Sequence, residues 1–587
     1  MLTGFIPRSS RAFQVILVTL LFSQALLLAY LSWSTSPNRT EVGHIGAAVY
    51  LWHTGQLDVF HVNPPLVRAV AGAPITLFCK PNYDWTGYSP RPQDRSEWRL
   101  GGAFVEKNEL DNLRLYIFLA RAACIPLILL GGYFGCRFAS ELYGQWSGIT
   151  FLILWTFSPL ILGWGATICP DVHAASIGII GLYTFWHWLK NPTWKKATIA
   201  GICLGLMPLT KITWVIAFPI WVILWAICLP FKKKRQITVI VLLGIYTISM
   251  GYLFDGSLRP LKDYKFISST LTGMEIIKGK SASVGNRFAD SWLGHIPVPL
   301  PAEFVQGIDT QKIDFERGME SYAHGTWSER GWWWYYGYVL LLRETLGVWA
   351  LTVLALFVTC FYRSASASHA SASWRDELTI LIPLLLTFAF ISSQDGLSIN
   401  PRYVVLILPL LYVFISKVVS ATFAVCRLLS VVLLAWVVGS SMSFYPYSMS
   451  YFNELAGKPI NYPKYLLGSN IDWGQDAYAL KAWVEKHPEA SPPDKKALYI
   501  SYSSPISLEK LGIKTEGTVP MEPTAGWMLV GVNELFTKEK KLDWLFQHEP
   551  VDMIGYSIWI YHITPEDVER YDRPYQELVW TKRTVGH

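Results

Sequence analysis

Five ionisable residues stand inside or at the ends of apolar segments, and together they could transfer a group that is bound to a phosphate. Glu41 and Asp171 are acids, and a positioned carboxylate can accept the proton of an attacking hydroxyl. Arg121, Lys211 and Arg402 are strong cations, and fixed cations stabilise the charge of a leaving phosphate. We therefore predict a site in which one of the two acids is the catalytic base and the three cations bind the phosphate of a donor.

Each of these residues also has a structural interpretation. Glu41 suits the first turn of a helix, where the helix dipole stabilises an acid, and Asp171 suits an N-cap or a first turn. Lys211 could extend its ammonium group to a membrane interface. An arginine inside a span is costly, so Arg121 either binds a ligand or pairs with a carboxylate or backbone carbonyls and locks two spans together.

The segment that carries Glu41 predicts a short helix that ends near His53. Its apolar positions share one stripe, which suits a helix lying along the membrane surface; they are Ile45, Ala48, Val49 and Trp52. His44 follows Glu41 by three residues, so both side chains lie on one face at the start of this helix. We expect His44 to contact an acceptor or a lipid head group.

A second helix is predicted to begin within the run Asn63-Pro64-Pro65-Leu66, with Asn63 as its N-cap, proline at its first position and an end near Phe78. His61 and Asn63 could contact a polar head group. The alternative is that the double proline is only a rigid helix start.

The elements that position these residues are predicted to be membrane spans. Apolar residues make up 52% of the 587 residues and charged residues 16%, which excludes an ordinary soluble chain. Eleven segments are long and apolar enough to be candidates; they lie near 13–33, 114–138, 145–166, 172–190, 196–211, 213–230, 237–254, 338–361, 377–393, 403–417 and 423–444. The fifth, with Gly201, Gly205 and Pro208, could be a broken or shallow helix.

Basic residues in the short connections predict the orientation. They fall on one side if the N-terminus is cytoplasmic; they are Arg8, Arg11, Arg137, Lys190, Lys195, Lys196, Lys232, Lys233, Lys234, Arg235, Arg363, Arg375, Lys417 and Arg427. The C-terminus is then extracytoplasmic. Three long segments, 34–112, 255–335 and 446–587, lie outside, and the five ionisable residues meet at that face.

The chain divides into a transmembrane domain, 1–445, and a small extracytoplasmic α/β domain, 446–587. In the second domain a helix is predicted over Ala477–Lys486 and strands over Ala497–Ser501, Trp527–Val532 and Val551–His562. The run from Ser469 to Asp476 could contact carbohydrate or form a capped turn before the helix. The aromatic run Trp332–Tyr336 indicates an interfacial belt, with sugar stacking as the alternative.

The sequence argues against several classes of enzyme and of binding protein. The sequence has no CxxC pair, no phosphate-binding glycine loop in a strand–helix context, and no HExxH or GxSxG motif. The net charge of +7 is modest for this length, and nucleic acid is not an expected partner.

In their order and sidedness these motifs resemble the family-39 group of the C superfamily (GT-C) of integral-membrane glycosyltransferases. That group contains protein O-mannosyltransferases and is related to the bacterial lipid A aminoarabinose transferase. The resemblance covers roughly residues 12–445 and rests on short motifs; they are Thr40-Glu41-Val42-Gly43-His44, Asn63-Pro64-Pro65-Leu66, Arg121, Asp171, Lys211 and Arg402-Tyr403. Thr40 departs from the family, which usually has Asp there as the favoured base, and Asn63 replaces a usual His.

The resemblance implies a polytopic α-helical enzyme of a bacterial inner membrane. Its donor would be a polyprenyl-phosphate-linked sugar, with the phosphate near the three cations and Tyr403. A hydroxyl of a lipid, polysaccharide or protein would accept the sugar, with inversion at the anomeric carbon. This scheme requires no metal or other cofactor, although Glu41, His44 and Asp171 could hold a divalent metal.

Two other functions stay open. A polytopic transporter or lipid flippase would need paired half-repeats, and the sequence has no internal repeat. A non-catalytic assembly protein of the same GT-C-like architecture is a third hypothesis, made more plausible by Thr40.

Overall fold

A computed structural model describes residues 10–275, 282–361, 372–420, 424–490 and 498–572. The α-helices follow in chain order: α1 (Arg11–Ser34), α2 (Arg39–Thr54), α3 (Pro65–Phe78), α4 (Ser96–Lys107), α5 (Leu110–Tyr143), α6 (Gln145–Phe157), α7 (Pro159–Gly165), α8 (Asp171–Lys190), α9 (Trp194–Thr210), α10 (Ala217–Cys228), α11 (Lys234–Gly251), α12 (Ser269–Thr272), α13 (Ala302–Arg317), α14 (Tyr335–Arg343), α15 (Leu346–Phe361), α16 (Trp374–Ser392), α17 (Leu408–Ile415), α18 (Ala424–Met442), α19 (Ala477–Lys486), α20 (Val532–Leu535) and α21 (Pro565–Glu569).

Each of the eleven predicted spans coincides with a helix or with a bent pair of helices. By length and composition, four described helices suit a membrane crossing; they are Arg11–Ser34, Leu110–Tyr143, Pro401–Ser420 and Val425–Met442. The bent pairs α6–α7 (55°) and α14–α15 (111°) raise the number to six if each pair is one span. The other helices are shorter or less apolar. The protein is thus helical with several candidate spans, and a total of eleven stays a prediction.

The orientation of these helices also stays a prediction. Two of the basic residues on which it depends, Arg8 and Arg363, lie outside the described residues.

The fifth predicted span forms one continuous helix, α9, so the broken-helix interpretation was wrong, and the shallow-helix interpretation stays a prediction. Its glycines serve close packing against α11 instead. A Cβ atom on Gly205 would lie 2.4 Å from the backbone oxygen of Gly244, and one on Gly201 would lie 3.0 Å from that of Ile240. The two helix backbones therefore approach more closely than a side chain would permit.

Helix α2 begins with a capping box. The side chain of Asn38 accepts hydrogen bonds from the backbone N–H groups of Thr40 and Glu41, and the Glu41 carboxylate accepts one from Asn38 N–H. Every residue from Thr40 to Tyr50 is buried by other parts of the protein, so α2 has no exposed polar face in this range, and its position along a membrane surface stays a prediction. Gly46 and Gly101 allow α4 to cover it, since a Cβ on Gly46 would lie 2.5 Å from Gly101 N.

Helix α3 runs from Pro65 to Phe78, close to the predicted range. Asn63 is not its N-cap, because Pro64 occupies that position with an extended backbone. The backbone N–H of Asn63 instead donates to Phe60 O at 3.0 Å.

The C-terminal residues form a four-stranded sheet in the order β3-β4-β6-β5, and a separate hairpin precedes α14. The strands are β1 (Ser321–Ala323), β2 (Thr326–Ser328), β3 (Leu498–Ser501), β4 (Gly526–Gly531), β5 (Asp552–Ile554) and β6 (Ile558–Ile563). β3 and β4 are parallel, and the pairs β4–β6 and β5–β6 are antiparallel. β3, β4 and α19 lie where the sequence predicts them, although Ala497 is outside the described residues. The single strand predicted over Val551–His562 was wrong, because a turn at residues 555–557 divides it into the antiparallel strands β5 and β6. The division into two domains stays a prediction.

Candidate functional site

Asp171 lies between two of the predicted cations. It is the first residue of α8, Lys211 follows the last residue of α9, and Arg402 lies in the 3-10 turn before α17. The Lys211 ammonium contacts Asp171 Oδ1, and Arg402 Nε lies 3.6 Å from Asp171 Oδ2. Asp171 is 1% exposed and Arg402 8%, so this cluster is closed in the structure. Three separate elements thus bring together an acid and two cations.

Aromatic rings hold both cations in place. Lys211 Nζ lies 4.6 Å from the centre of the Tyr403 ring. The Arg402 guanidinium carbon lies 5.4 Å from the ring centres of both Trp164 and Tyr403. Such contacts stabilise a cation and fix its position without using its N–H groups.

Arg402 keeps hydrogen-bonding capacity. Its Nη1 donates to Cys169 Sγ at 3.3 Å. Its buried Nε has no hydrogen-bond acceptor among the described residues. This Nε faces Asp171 Oδ2 at 3.6 Å, beyond hydrogen-bond distance, so it is a donor that a bound anion could engage.

Arg121 shows the opposite pattern, because protein oxygens accept from each of its three nitrogens. Nε and Nη2 donate to the two carboxylate oxygens of Glu41 at 2.8 and 2.6 Å. Nη1 donates to the backbone oxygens of Ser32 and Thr35 at 3.0 and 2.9 Å, and Nη2 also donates to Ser36 O at 3.0 Å. This geometry favours the interpretation that Arg121 locks α5 to the end of α1, and its binding of a lipid phosphate stays a prediction.

Both carboxylate oxygens of Glu41 also accept hydrogen bonds from protein donors. Besides Arg121, its oxygens accept hydrogen bonds from Ile168 N at 3.1 Å and Asn38 N at 3.0 Å. Ile168 stands three residues before Asp171, so Glu41 holds the turn that carries the second acid. Thr40, where the resembled family has Asp, accepts a hydrogen bond from Trp473 Nε1 at 2.7 Å.

His44 is buried beside the cluster, with its ring 4.6 Å from that of Phe60. Burial, followed by the positive charge of Arg402, holds the pKa of His44 well below its ordinary value, so the imidazole is neutral. Its Nε2 has no hydrogen-bond partner among the described residues. The same is true of Nε2 of the buried His173, whose Nδ1 lies 3.0 Å from Cys169 O and donates to it.

His61 and Asn63 are not brought into this cluster by any described contact. His61 Nδ1 lies 2.7 Å from a carboxylate oxygen of Glu303 on α13, so it links two of the long loops. Asn63 is half-buried in the turn before α3. Their contact with an acceptor or head group stays a prediction.

The run from Ser469 to Asp476 connects the segments that carry the site. Ser469 Oγ donates to Asn400 Oδ1 at 2.6 Å, next to the turn of Arg402. At its other end Arg39 N donates to Trp473 O at 2.9 Å, at the start of α2. The run leads into α19, as its capped-turn interpretation predicts, but the Asp476 side chain does not cap that helix.

Sequence reasoning missed Trp164, Cys169 and Glu303 as partners of the site residues. Trp164 and Cys169 lie in apolar surroundings where either residue is an ordinary core choice. The role of Trp164 and Cys169 becomes visible only when the fold brings distant segments of the chain together. Within the described ranges no group of three His, Cys, Asp or Glu side chains could hold a metal ion, so the structure does not assemble Glu41, His44 and Asp171 as ligands.

No protein-family model and no curated protein matches the chain. Among solved structures it is similar to ArnT from Cupriavidus metallidurans bound to undecaprenyl phosphate, at 12% identity and a TM-score of 0.46, over 94% of this chain and 98% of that one. It is also similar to the oligosaccharyltransferase AglB from Archaeoglobus fulgidus in complex with an inhibitory peptide and a dolichol-phosphate, at 10% identity and a TM-score of 0.43, over 92% and 73% of the two chains.

At TM-scores below 0.5, the chemistry of the site has to be inferred from its own residues. These structures are what the chain is similar to, and the GT-C resemblance that the sequence predicts stays a prediction about this chain.

Proposed function

We propose that this protein is a membrane glycosyltransferase that moves a sugar from a polyprenyl-phosphate-linked donor to a hydroxyl acceptor outside the cytoplasm. The observation that carries the proposal is the position of Asp171 between Lys211 and Arg402. A bacterial inner membrane and an extracytoplasmic C-terminus belong to the same proposal.

Asp171 is the proposed base. Its carboxylate takes the proton of the acceptor hydroxyl as that oxygen forms a bond to the anomeric carbon. The bond from this carbon to the phosphate oxygen breaks, and the phosphate leaves with the electron pair. Direct displacement inverts the configuration at the anomeric carbon.

Arg402 is the proposed principal ligand of the leaving phosphate. Its Nε, which faces Asp171 without a hydrogen bond, and the aromatic rings that fix it support this role, because a preorganised donor stabilises charge that develops in the transition state. Lys211 and Tyr403 complete the phosphate site. Since the cluster is closed, we expect donor binding to separate Lys211 from Asp171.

Glu41 and Arg121 are proposed as positioning residues. All the oxygens and nitrogens of this ion pair already have protein partners, and its contact with Ile168 N–H fixes the turn before Asp171. The departure at Thr40 then leaves the base in place, because Asp171 supplies it from another element.

The substitution Asp171→Asn tests this proposal. It keeps the shape of the side chain and removes its proton-accepting ability, so transfer should fall by about 10²–10⁴-fold. The measurement is mass spectrometry of glycans and glycolipids from cells that lack the chromosomal copy and carry the parent or the variant.

Glu377→Gln is the matched control. Glu377 is also an acid paired with a lysine, 2.7 Å from Lys417, but it lies near Asp376, which binds Lys190 at the opposite end of α8. Parent-level products from Asp171→Asn, or an equal loss in both variants, would remove Asp171 from the reaction.

A further inference from the structure

The aromatic run before α14 divides into three groups by exposure. Trp333 is 73% exposed, as an interfacial belt predicts, and Tyr335 and Tyr336 are buried in the core. Trp332 and Trp334 are half-buried, and both line an open cavity of about 380 Å³. An interfacial belt would expose these two rings and a core position would bury them, so neither role accounts for their place in the cavity wall.

Two elements build this cavity. Its lining residues are Ala323, His324, Thr326, Trp332, Trp334 and Tyr338. The hairpin β1–β2 supplies the first wall and is anchored by the hydrogen bond from His324 N to Tyr465 O at 2.8 Å. The start of α14 supplies the second.

The rings form a fixed corner. The centres of Trp332 and Trp334 are 5.3 Å apart with their planes at 32°, and Trp334 meets Tyr338 edge to face at 5.7 Å. Tyr338 OH lies 3.5 Å from His324 Nδ1. A rigid aromatic corner loses little entropy when a ligand packs against it.

Polar groups surround the rings. In the described part of the chain, neither the Trp332 nor the Trp334 indole N–H donates to a protein acceptor. The side chains of His324 and Thr326 are exposed at the same cavity. An apolar floor with a few hydrogen-bonding groups is typical of a small-molecule site, and the volume lies within the usual range of about 300–1,000 Å³.

The aromatic and polar groups that line this cavity favour a carbohydrate as its ligand. A pyranose ring presents a C–H face that packs on aromatic rings and hydroxyls that bind indole N–H, imidazole and hydroxyl groups. A lipid chain would leave those polar groups unused. A phosphate would lack a counter-charge, because none of the lining residues is Lys or Arg.

One wall of the cavity contacts the segment that leads to the proposed active site. Trp332 N donates to Ser398 Oγ at 3.4 Å, two residues before Asn400. Behind it, the Tyr336 ring lies 6.5 Å from the ring of Tyr403. A saccharide stacked on Trp332 would therefore be separated by this residue from the segment that leads to Arg402.

We propose that the cavity between the β1–β2 hairpin and α14 binds a pyranose residue of the acceptor, stacked on Trp332 and Trp334. The assignment to the acceptor rests on the proposed function, whereas saccharide binding itself does not.

Saturation-transfer NMR on the full chain tests the binding. The probes are methyl hexopyranosides of the gluco, manno and galacto series, and the protein is purified in a detergent without a sugar head group, since maltoside detergents would compete. We expect at least one probe to bind the parent, and Trp334→Ala and Trp332→Ala to weaken it by roughly fivefold or more. Trp333→Ala is the control from the same run and should bind like the parent.

The outcomes separate the two proposals. Absence of binding of every probe to the folded parent, or equal loss in Trp333→Ala, would overturn the saccharide site. Asp171→Asn should bind the probe at parent affinity while losing transfer. If it binds the probe and also transfers at the parent rate, the proposed base is wrong and the saccharide site stands.

Discussion

At the scale of the residue, two buried arginines of similar exposure have opposite surroundings. Arg121 donates to oxygens of Glu41 and of three backbone groups, whereas Arg402 has a buried nitrogen with no acceptor in the described residues. The sequence predicts both as cations at the outer face but cannot rank them. The difference depends on which oxygens surround each guanidinium, and those come from segments distant in sequence.

This contrast predicts different results from the same substitution. Arg121→Leu leaves Glu41 as an uncompensated buried charge, so we expect it to lose about 3–5 kcal/mol of stability and most of the folded protein. Arg402→Leu leaves Asp171 paired with Lys211, so we expect a folded protein that binds undecaprenyl phosphate at least tenfold more weakly.

Thermal unfolding and a phosphate-binding assay on monodisperse protein distinguish the two effects. Normal folding of Arg121→Leu with lost binding would return Arg121 to the phosphate site. Unchanged binding by Arg402→Leu would remove Arg402 from it.

At the scale of the element, the positions of the apolar helices follow from the sequence, whereas the breaks between them and the loop helices α4 and α13 do not. Hydrophobic runs predict all eleven helical segments, yet the eighth bends by 111° between α14 and α15. Arg343 and Glu344 stand at this bend, both fully buried. Glu344 accepts from Ser158 Oγ and Tyr412 OH at 2.8 and 3.0 Å, partners that the sequence cannot identify.

The contact between α9 and α11 gives a prediction about packing. The Cβ of Gly205→Ala would lie 2.4 Å from Gly244 O and 2.5 Å from Thr247 Cβ, so the two helices must separate. Overpacking of this kind costs about 1–3 kcal/mol. Gly439→Ala is the control, because Gly439 lies inside α18 with no atom within 4 Å of the new Cβ. Equal thermal unfolding of the two variants would contradict the close packing.

The connecting run before α19 predicts a dependence of stability on pH. Burial raises the pKa of Asp476 from 3.8 to about 7, while its Oδ2 accepts from Ser557 Oγ at 2.6 Å. In the unfolded chain this carboxyl ionises at its ordinary pKa, so between pH 4 and 7 folding takes up a proton. The free energy of unfolding therefore falls as the pH rises across this interval and levels off above it.

Asp476→Asn removes this titration and keeps an oxygen that can accept from Ser557. We expect its unfolding temperature to decline less than that of the parent between pH 4 and 7. Glu539→Gln, at an exposed position, should decline like the parent. Parallel curves for all three proteins would show that Asp476 ionises normally in the fold.

At the scale of the whole molecule, the C-terminal residues are part of the site's framework. Ser36 N donates to Gln475 O at 3.0 Å, and Ser469 binds Asn400, so one run joins the first loop to the turn before α17. The sequence predicts β3 and β4 from their composition, but it gives one strand where β5 and β6 form a hairpin. It could not predict the docking on the first loop, because Ala477 N donates to Ser36 Oγ across more than 400 positions of sequence.

This docking agrees with the predicted topology and sharpens its test. The C-terminal run contacts the start of α2, so both must lie on one side of the membrane. An odd number of spans places the chain ends on opposite sides, and the basic residues predict that the N-terminus is cytoplasmic. Cys360, exposed at the far end of α15, should then face the cytoplasm, whereas the exposed Glu539 should face outward.

We therefore predict that a membrane-impermeant maleimide added to intact spheroplasts labels Glu539→Cys in a Cys360→Ser background. The parent Cys360 should react only after permeabilisation, which makes it the cytoplasmic reference. Labelling of both positions from one side would mean an even number of crossings between them. Protection of Glu539→Cys until the membrane is opened would place the C-terminal sheet, and with it the start of α2, in the cytoplasm. In that case Asp171 could not receive an acceptor from outside.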